Sequence, residues 1–418
     1  MNSLTLEQAA DVTPVTLLTD TEAQIDMRRL RAYRLQRLRE QIIKHDLAAV
    51  VLFSPLSIRY ASGARGCALF STHIVSGYLF VPAQGPVILF DHESGQRRGA
   101  QLETIDECSP AIPLSYMFGG LRMDEWMTRW AKEMADLVDQ YGGGNRRLGI
   151  ERAGTRTPAA FDGLNIEVAD AMDVIEAARN IKSPEEILCM NHAIAVAETG
   201  MWRMREALKP GMSEIELWSL LWQANIEHGG DWIECRLLSA GDRTNPWLQE
   251  ASGRLIRPGE LVAFDTDLIG PFGYSADISR TYLCATKPTP YQKELYQRAY
   301  DEIHHNFELM QPGMTFKEIT EKSFRQPDQF IPTRYPVVAH GIGMSDEWPA
   351  ILYPQDYPEA GYDGVLERGM TLCVESYVGE DGGCEGVKLE QQILITDNGY
   401  KLLTRFPFED DFLSRTHE

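Results

Sequence analysis

The chain contains 418 residues, of which 44% are apolar, 24% charged and 9% aromatic. This length predicts two domains, and the composition is that of a folded globular protein rather than a disordered or fibrous one. Forty Lys and Arg residues against 61 Asp and Glu residues give a formal net charge of −21. A field of this sign repels phosphate backbones and anionic membrane surfaces, so nucleic acid is not an expected partner.

Neither the cysteines nor the apolar segments indicate secretion or membrane insertion. The seven cysteines are scattered and include no CxxC pair, so neither a disulfide framework nor a thiolate zinc site is expected. Residues 1–20 lack the basic and then apolar regions of a signal peptide, and no apolar run approaches the about 18 residues of a membrane span. We therefore expect a protein of the reducing cytoplasm that makes no membrane contact.

The first part of the chain alternates helical and strand-like segments. A basic helix is predicted over Met27–Lys44, where leucine and isoleucine side chains interleave with arginines at helical spacing. Short apolar runs at Leu47–Phe53, Gly77–Val81 and Val87–Phe90 have Pro, Gly or Asp beside them and predict strands. This alternation predicts an α/β N-terminal domain over residues 1–178.

Two helices with clear start signals open the second part. Residues 183–186, Ser-Pro-Glu-Glu, have the pattern of a capping box, in which the Ser and the last Glu satisfy free amide groups at a helix start. An apolar stripe over residues 187–208 recurs every three or four residues and predicts one long helix. Residues 213–216 repeat the start signal before a second helix over residues 215–227.

Strand-like runs then alternate with one more helical segment. The runs are Leu261–Phe264, Ser279–Cys284, Met370–Val374 and Gln391–Ile395, and the helix is predicted over Tyr291–Met310. This mixture predicts an α+β domain over residues 179–418.

Acidic residues cluster in an apolar setting after the first of these strands. Asp265 and Asp267 follow Phe264, and Asp277 lies ten residues beyond Asp267 in the segment GYSADISRT. Two residues apart on a strand, Asp265 and Asp267 would face the same side, and a hairpin would return Asp277 against them. A buried carboxylate is costly unless it is paired or binds a cation. Taken alone, the pattern is equally compatible with turn aspartates and a surface pair between Asp and Arg280.

Three further ligand-type residues stand beside predicted strands. His340 lies in the segment AHGIG, Glu375 follows Leu-Cys-Val, and Glu390 precedes Gln-Gln-Ile-Leu-Ile. Each alone has a common structural role, as a core histidine or an edge glutamate. Together with the aspartates they offer one imidazole and up to five carboxylates, which suits a pair of Mn, Fe, Zn or Co ions. The predicted metal ligands are Asp265, Asp267, Asp277, His340, Glu375 and Glu390.

These motifs resemble those of the pita-bread superfamily, which comprises methionine aminopeptidases, prolidases and creatinases. The order of the ligands is the same, and the motifs GYSADISRT, HGIG, GMTLCVE and KLEQQILIT surround them. The segments VLFSPLSIRYASG, from Val51, and RNIKSPEE, from Arg179, resemble the creatinase and prolidase branch. The resemblance spans most of the chain and implies a creatinase-like α/β N-terminal domain, an α+β pita-bread catalytic domain and a homodimer.

The resemblance does not decide which aspartate is the first metal ligand. It also shows that two residues typical of the peptidases are replaced in this chain. Asp265 and Asp267 lie twelve and ten residues before Asp277, on either side of the family's usual spacing, so either or both are candidate ligands. The peptidases use two auxiliary histidines that are missing here. Trp247 stands at the position of one, and the pair at residues 346 and 347, Asp-Glu, lies near the position of the other.

These departures suggest a cationic carboxylate as the substrate. The indole of Trp247 offers a π face to an onium cation, and Tyr335 lies in a motif segment. Asp346 is the candidate general base, with Glu347 as the next candidate, because a metal-bound substrate carboxylate would acidify the adjacent carbon. The segments FDTDLIG and HGIGMSDEWP are similar to those of the dimethylsulfoniopropionate lyases of this superfamily. That resemblance implies a bacterial cytoplasmic enzyme.

The resulting hypothesis is a metal-dependent carbon–sulfur lyase that cleaves dimethylsulfoniopropionate to dimethyl sulfide and acrylate by β-elimination. Asp346 is the predicted catalytic residue, Trp247 and Tyr335 bind the substrate, and the cofactors are two divalent ions, iron by resemblance and otherwise Mn, Zn or Co. An Xaa-Pro-type metallopeptidase or other metallohydrolase, and a non-catalytic binding protein, are the alternatives. Trp247 is also compatible with a core position, and Asp346 with a helix cap or an ion pair.

Overall fold

The computed structural model describes residues 4–12, 24–92 and 99–413. Within these ranges the chain forms two compact units. One unit comprises residues 26–179, and the other combines residues 180–413 with the described residues before residue 26. The predicted domains, 1–178 and 179–418, differ from these units chiefly in the placement of the N-terminal residues.

The N-terminal helix Leu6–Asp11 belongs to the second unit because it packs against the helix Pro184–Ala207. The side-chain amide of Asn191 donates hydrogen bonds to the carbonyl oxygens of Ala9, at 2.8 Å, and Val12, at 3.0 Å. These carbonyl groups lie at the end of the helix, where the amide of Val12 also donates to the carbonyl oxygen of Ala9 at 3.2 Å. The sequence contains no composition shift that would assign this short helix to a domain so distant along the chain.

The unit of residues 26–179 is built on a mixed six-stranded sheet. Its strands are β1 (Ala49–Leu52), β2 (Tyr78–Pro82), β3 (Ile88–Asp91), β4 (Glu107–Pro110), β5 (Arg147–Ile150) and β6 (Glu167–Asp170). They lie in the order β4–β3–β2–β1–β5–β6, with antiparallel pairing from β1 to β3 and parallel pairing elsewhere. The helices of this unit are Met27–Lys44, Pro55–Ser62, Ala68–His73, Tyr116–Gly119, Met123–Tyr141, Thr157–Phe161 and Met172–Arg179.

The apolar strands lie at the centre of this sheet. Every residue of β1 and β2 is buried, which is why both read as continuous apolar runs in the sequence. The helix Met123–Tyr141 covers the sheet with an apolar stripe that includes Trp130 and Met134. The predicted helix and the three predicted strands of this unit are all present, within two residues of their expected limits.

The second unit contains the two predicted helices with capping boxes. In the longer one, the amide of Glu186 donates to Ser183 Oγ at 3.2 Å, and the amide of Ser183 donates to Glu186 Oε2 at 2.8 Å. The helices of this unit are Leu6–Asp11, Pro184–Ala207, Glu214–Glu227, Pro290–Phe307, Phe316–Lys322 and Tyr357–Ala360. Among the helices of the described residues, none is both long enough and apolar enough to cross a membrane.

Three antiparallel sheets complete the second unit. The strands are β7 (Trp232–Ile233), β8 (Leu238–Ala240), β9 (Leu261–Phe264), β10 (Leu268–Ile269), β11 (Ser275–Ala276), β12 (Arg280–Leu283), β13 (Val337–Ile342), β14 (Asp346–Leu352), β15 (Thr371–Gly379), β16 (Gly386–Thr396) and β17 (Gly399–Leu402). The largest sheet has the order β14–β13–β15–β16–β17, and the smaller ones have the orders β12–β9–β8 and β11–β10–β7. The architecture is α/β in the first unit and α+β in the second, as predicted.

The largest sheet has one apolar face and one polar face. Leu372 and Val374 of β15 and Leu389 of β16 belong to the apolar core, which also contains residues of the helix Pro290–Phe307. Successive side chains of a strand point to opposite faces, so the residues that alternate with these point away from that core. Those alternate positions carry the polar side chains of the candidate site.

Candidate metal centre

Three of the predicted ligands lie on the polar face of the largest sheet. Glu375 of β15 is paired with Glu390 of β16, and His340 of β13 is paired with Cys373 of β15. Directly opposed residues on antiparallel strands share a face, so these four side chains point to the same side. The register of the sheet therefore brings together residues that are 50 positions apart in the sequence, from His340 to Glu390.

The three aspartates come from the segment between β9 and β12. β9 ends at Phe264, and Asp267 has a φ of +37°, in the left-handed region. The expectation that Asp265 and Asp267 share a strand is therefore wrong, because the chain leaves the strand before it reaches them. The pairing of β9 with β12 nevertheless returns Asp277, and one carboxylate oxygen from each aspartate lies within 4.8 Å of the others.

The imidazole of His340 faces three of the predicted carboxylate ligands. Its Nε2 atom is 3.1 Å from Glu375 Oε1, 3.6 Å from Glu390 Oε1 and 3.7 Å from Asp277 Oδ2. Its Nδ1 atom is 2.9 Å from the carbonyl oxygen of Gly341. When Nδ1 donates to this carbonyl, the lone pair of Nε2 points toward the carboxylates, which is the arrangement of a metal-binding histidine.

All six predicted ligands belong to three overlapping groups in which the ligand atoms lie within 4.8 Å of one another. The groups are Asp277, His340, Cys373 and Glu390; Asp265, Asp267 and Asp277; and Asp265, Glu375 and Glu390. In the described part of the chain, four buried carboxylate oxygens of these groups lack a hydrogen bond: Asp267 Oδ2, Asp277 Oδ1, Glu375 Oε1 and Glu390 Oε1. Unpaired buried oxygens are costly, and oxygen donors with one imidazole suit divalent ions of the Mn to Zn series. The residues therefore fit a divalent metal centre, and each one's role as a ligand stays a prediction.

Lys388 is a central residue that the sequence analysis did not predict. Its fully buried ammonium lies 2.6 Å from Glu375 Oε2, 3.0 Å from Glu390 Oε2 and 3.1 Å from Asp265 Oδ2. It also donates a hydrogen bond to Ser279 Oγ at 2.8 Å. The position of Lys388 could have been inferred from the sequence, because side chains two residues apart on a strand, such as those of Lys388 and Glu390, point to the same face.

Cys373 is a second residue that was missed. It lies two residues before Glu375 on the same face, and its Sγ atom is 3.8 Å from the carbonyl oxygen of Asp277. Burial, followed by the charges of Glu390 and Asp277, raises the pKa of its thiol well above the usual value. The thiol is therefore a neutral neighbour of the acidic residues at ordinary pH.

Burial and like charges raise the pKa values of most carboxyl groups at the centre. Burial, followed by the charge of Glu390, raises the pKa of Asp265 to about 7 and raises that of Asp277 well above its usual value. Burial also opposes ionisation of Glu390, but Lys388 and His340 hold its pKa below the usual value. Burial lowers the pKa of His340, whereas the adjacent carboxylates raise it more. The metal-free centre therefore retains protons that a divalent cation would displace.

Asp346, the predicted base, lies at the rim of the centre as the first residue of β14. Its Oδ1 atom is 3.8 Å from His340 Nδ1, and its side chain is 68% exposed, whereas those of Glu375 and Glu390 are fully buried. Desolvation by the surrounding residues raises its pKa, His340 opposes this shift, and Glu390 adds to it. A carboxylate with a raised pKa at an accessible rim can accept a proton from a bound molecule.

Glu347, the next candidate for the base, is engaged in a buried ion pair. Its Oε2 atom is 2.6 Å from Lys182 Nζ, with both side chains 2% exposed, and its Oε1 atom accepts a hydrogen bond from the amide of Met344 at 3.0 Å. A Cβ atom at Gly343 would lie 2.3 Å from Glu347 Oε1, so the turn packs directly on this carboxylate. The carboxylate of Glu347 is therefore engaged within the turn before Asp346, which makes Asp346 the better candidate for the base.

The two predicted substrate-binding aromatic residues lie beside Lys388. The ammonium is 4.5 Å from the ring centre of Tyr335 and 5.9 Å from that of Trp247. Trp247 is 8% exposed and packs in a small apolar cluster with Tyr377, 5.8 Å between ring centres. These surroundings are those of a core residue, which was the alternative to a substrate-binding role for Trp247. Tyr335 packs on the edge of the same cluster and is only partly buried.

The comparisons with known proteins agree with this architecture. Residues 188–397 match the model of metallopeptidase family M24, and residues 34–181 match that of the creatinase/prolidase N-terminal domain. The chain is 36% identical to dimethylsulfoniopropionate lyase DddP of Roseovarius nubinhibens over 93% of this chain and 89% of that protein. It is 33% identical to dimethylsulfoniopropionate lyase DddP of Roseobacter denitrificans over 92% of this chain and 87% of that protein.

The solved structure of an Xaa-Pro dipeptidase from Bacillus anthracis has the same fold. It superposes with a TM-score of 0.73 at 22% identity, over 91% of this chain and 99% of that chain. The predicted creatinase-like α/β domain and pita-bread catalytic domain are thereby confirmed. The chain belongs to metallopeptidase family M24 and is an enzyme of that family.

Proposed function

We propose that the enzyme is a metal-dependent carbon–sulfur lyase that cleaves dimethylsulfoniopropionate to dimethyl sulfide and acrylate. The observation that carries the proposal is the place of Asp346, an exposed carboxylate with a raised pKa at the rim of a buried set of candidate metal ligands. The similarity to two dimethylsulfoniopropionate lyases over most of the chain supports it. As part of the same proposal, the enzyme acts as a homodimer in the cytoplasm.

The proposed centre holds two divalent ions, with iron favoured by resemblance and Mn, Zn or Co also compatible with the donor set. The proposed ligands are Asp265, Asp267 or both, together with Asp277, His340, Glu375 and Glu390. When bound, such ions act as Lewis acids toward a substrate carboxylate and so acidify the carbon beside it.

In the proposed reaction, Asp346 accepts the proton from the carbon adjacent to the substrate carboxylate. The electron pair of that carbon–hydrogen bond forms the carbon–carbon double bond while the bond between the β carbon and sulfur breaks. The sulfur atom keeps the electrons of the broken bond and leaves as neutral dimethyl sulfide. The remaining fragment is acrylate, and the proton resides on Asp346 until solvent removes it.

Tyr335 and Trp247 form the proposed wall for the sulfonium group. A cation over an aromatic face gains roughly 0.5–2 kcal/mol, depending on how far it is desolvated. The ring of Tyr335 is the less buried of the two. We therefore assign the direct contact to Tyr335 and a supporting position to Trp247.

A peptidase activity is the alternative within the same family. The likeness to the Xaa-Pro dipeptidase structure, at 22% identity, carries the fold alone. The replacement of both auxiliary histidines argues against a peptidase. Trp247 stands at one of these positions, and the pair Asp346 and Glu347 lies near the other. General acid–base assistance of this kind is worth about 10²–10⁴-fold, so its loss is readily measured.

Proton NMR of the metal-loaded enzyme tests the proposal against the alternative. One sample receives dimethylsulfoniopropionate and a second receives an Xaa-Pro dipeptide, at the same enzyme concentration. We expect acrylate and dimethyl sulfide in equal amounts from the first sample and no free proline from the second. Efficient dipeptide cleavage without acrylate formation would replace the lyase by a peptidase.

A further inference from the structure

We propose that Lys388 is a positioning residue that occupies one of the three candidate cation positions of the centre and turns the ligand carboxylates toward the other two. The inference rests on the proposed metal centre and goes beyond it, because Lys388 is neither a predicted ligand nor a substrate contact. Its ammonium lies among Asp265, Glu375 and Glu390, which are also one of the three groups able to hold a metal.

The two oxygens of each glutamate face different cations. The Oε2 atoms of Glu375 and Glu390 contact the Lys388 ammonium at 2.6 and 3.0 Å. Their Oε1 atoms lie 3.1 and 3.6 Å from His340 Nε2 and are among the buried oxygens without a hydrogen bond in the described residues. The Oε2 atom of each carboxylate is thus held by the ammonium, while its Oε1 atom faces the imidazole of His340.

The surroundings of Lys388 hold its side chain in this place. The side chain is fully buried between the carboxylates and the ring of Tyr335, whose centre is 4.5 Å from the ammonium. Ser279 accepts a hydrogen bond from Lys388 and donates one to Glu390 Oε2 at 2.7 Å. Residues that hold metal ligands by hydrogen bonds typically change metal affinity about 10–100-fold when they are removed.

The charges of the centre support this arrangement. The predicted ligands include five carboxylates, which carry five negative charges when ionised. The ammonium of Lys388 offsets one of them, and the remaining four equal the charge of two divalent ions. Since uncompensated buried charge is costly, the lysine and two divalent ions together give a neutral buried centre.

Two consequences distinguish a positioning role from simple competition with a metal. If Lys388 orients the ligands, its removal weakens metal binding, although a positive charge has been taken away. If the ammonium merely fills a metal position, its removal strengthens metal binding or adds a further ion. The sign of the change in affinity therefore decides between the two roles.

The test is a Co²⁺ titration of the metal-stripped full-length enzyme. Binding is followed by the visible absorption of Co²⁺ and by competition with a chromophoric chelator, and the bound metal is counted by elemental analysis. For the wild type we expect two ions. For Lys388→Met we expect about 10–100-fold weaker binding and an altered Co²⁺ spectrum, and for Lys388→Arg a recovery of most of the affinity. Lys182→Met breaks another buried Lys–Glu pair, in which neither residue is a predicted ligand. It is the matched control and should leave Co²⁺ affinity unchanged.

Unchanged or tighter binding by Lys388→Met, or a third bound ion, would overturn the inference. An equal loss of affinity in Lys182→Met would also overturn it, because the effect would then come from general destabilisation. If circular dichroism shows that Lys388→Met is unfolded, Lys388→Gln is judged by the same criteria. A wild-type enzyme that binds no Co²⁺ would instead refute the proposed metal centre, so the two failures are distinguishable.

Discussion

Two adjacent acidic residues, Asp346 and Glu347, have different chemistry because their side chains point into different surroundings. Asp346 lies at the exposed rim, whereas Glu347 is paired with Lys182 in the interior. The sequence offered both as candidates for the base, and it could not separate them, because the distinction depends on a lysine 165 residues away. A contact between residues so far apart in the sequence produces no local sequence pattern from which it could be predicted.

Asp346→Asn tests the assignment of the base. The amide keeps the size of the side chain but cannot accept the substrate's proton, so we expect kcat to fall about 10²–10⁴-fold. Metal content should stay at the wild-type value, since Asp346 is not a predicted ligand. Steady-state kinetics of acrylate formation, together with elemental analysis of the purified variant, provide the measurement.

A wild-type kcat in Asp346→Asn, accompanied by a lower melting temperature, would assign this residue a structural role instead. Glu347 would then be the next candidate to test, although its carboxylate is held by Lys182 and by the amide of Met344.

The residues of the candidate centre were predictable to different degrees. The acidic residues and His340 could be found because charged side chains within apolar segments are unusual and occur in a recognisable order. Lys388 has the same character, but a lysine is not a metal ligand, so a search for ligand types passes over it. Cys373 was passed over because a lone cysteine on a strand is most often an apolar core residue.

At the scale of elements, β15 and β16 supply the framework of the centre. Both strands extend beyond the apolar runs that predicted them, to Gly379 at the end of β15 and from Gly386 at the start of β16. The prediction stopped early because buried polar residues, among them Glu375 and Lys388, interrupt the apolar pattern. Charged residues of the site occupy strand positions that would carry apolar residues in an ordinary core strand. The full length of these two strands therefore cannot be predicted from their apolar runs.

The ion pair between Lys182 and Glu347 connects two segments of the second unit. Lys182 precedes the helix Pro184–Ala207, and Glu347 lies near the start of β14. Removal of one partner of a buried pair leaves an uncompensated charge and typically costs about 3–5 kcal/mol. We therefore expect Lys182→Met to lower the free energy of unfolding by about that amount, as measured by urea denaturation.

Lys322→Met serves as the control for this comparison, because its pair with Glu318 is an exposed contact within one helix. Such pairs contribute about 0.3–0.5 kcal/mol, so this variant should unfold near the wild-type urea concentration. Equal stabilities of the two variants would contradict the prediction, because the buried pair would then contribute no more to stability than an exposed one.

At the scale of the whole molecule, the fold class of the two domains was predictable, whereas the place of the N-terminal helix was not. The resemblance of whole motifs gave the order and type of the two domains, and capping boxes located the first helices of the catalytic domain. The helix Leu6–Asp11 was assigned to the other domain because proximity in sequence was the only guide. Its contacts with Asn191 are visible only in the folded chain.

The acidic centre predicts a pH dependence of stability that differs between the metal-free and metal-loaded enzyme. The pKa of Asp265 is raised from 3.8 to about 7 in the folded metal-free chain, so the folded state retains a proton that the unfolded state has lost. Stability therefore falls as the pH rises through this window. Bound metal replaces the proton, so the loaded enzyme should lack this contribution.

Melting temperatures of both forms, measured across the window from 3.8 to about 7, check this prediction. The remote charges of the chain are the same in both forms, so the difference between the two curves isolates the centre. We expect the gain in melting temperature on metal binding to increase with pH. A gain that stays constant or decreases would contradict the raised pKa values of the carboxyl groups.

Release of dimethyl sulfide by the purified enzyme tests the central claim most directly. Headspace gas chromatography is performed on the metal-loaded enzyme with dimethylsulfoniopropionate, on the same enzyme stripped by a chelator, and on the stripped enzyme after metal is restored. We expect dimethyl sulfide from the first and third samples and none above the enzyme-free blank from the second. Absence of dimethyl sulfide from the metal-loaded enzyme, or equal release by the stripped enzyme, would contradict a metal-dependent lyase.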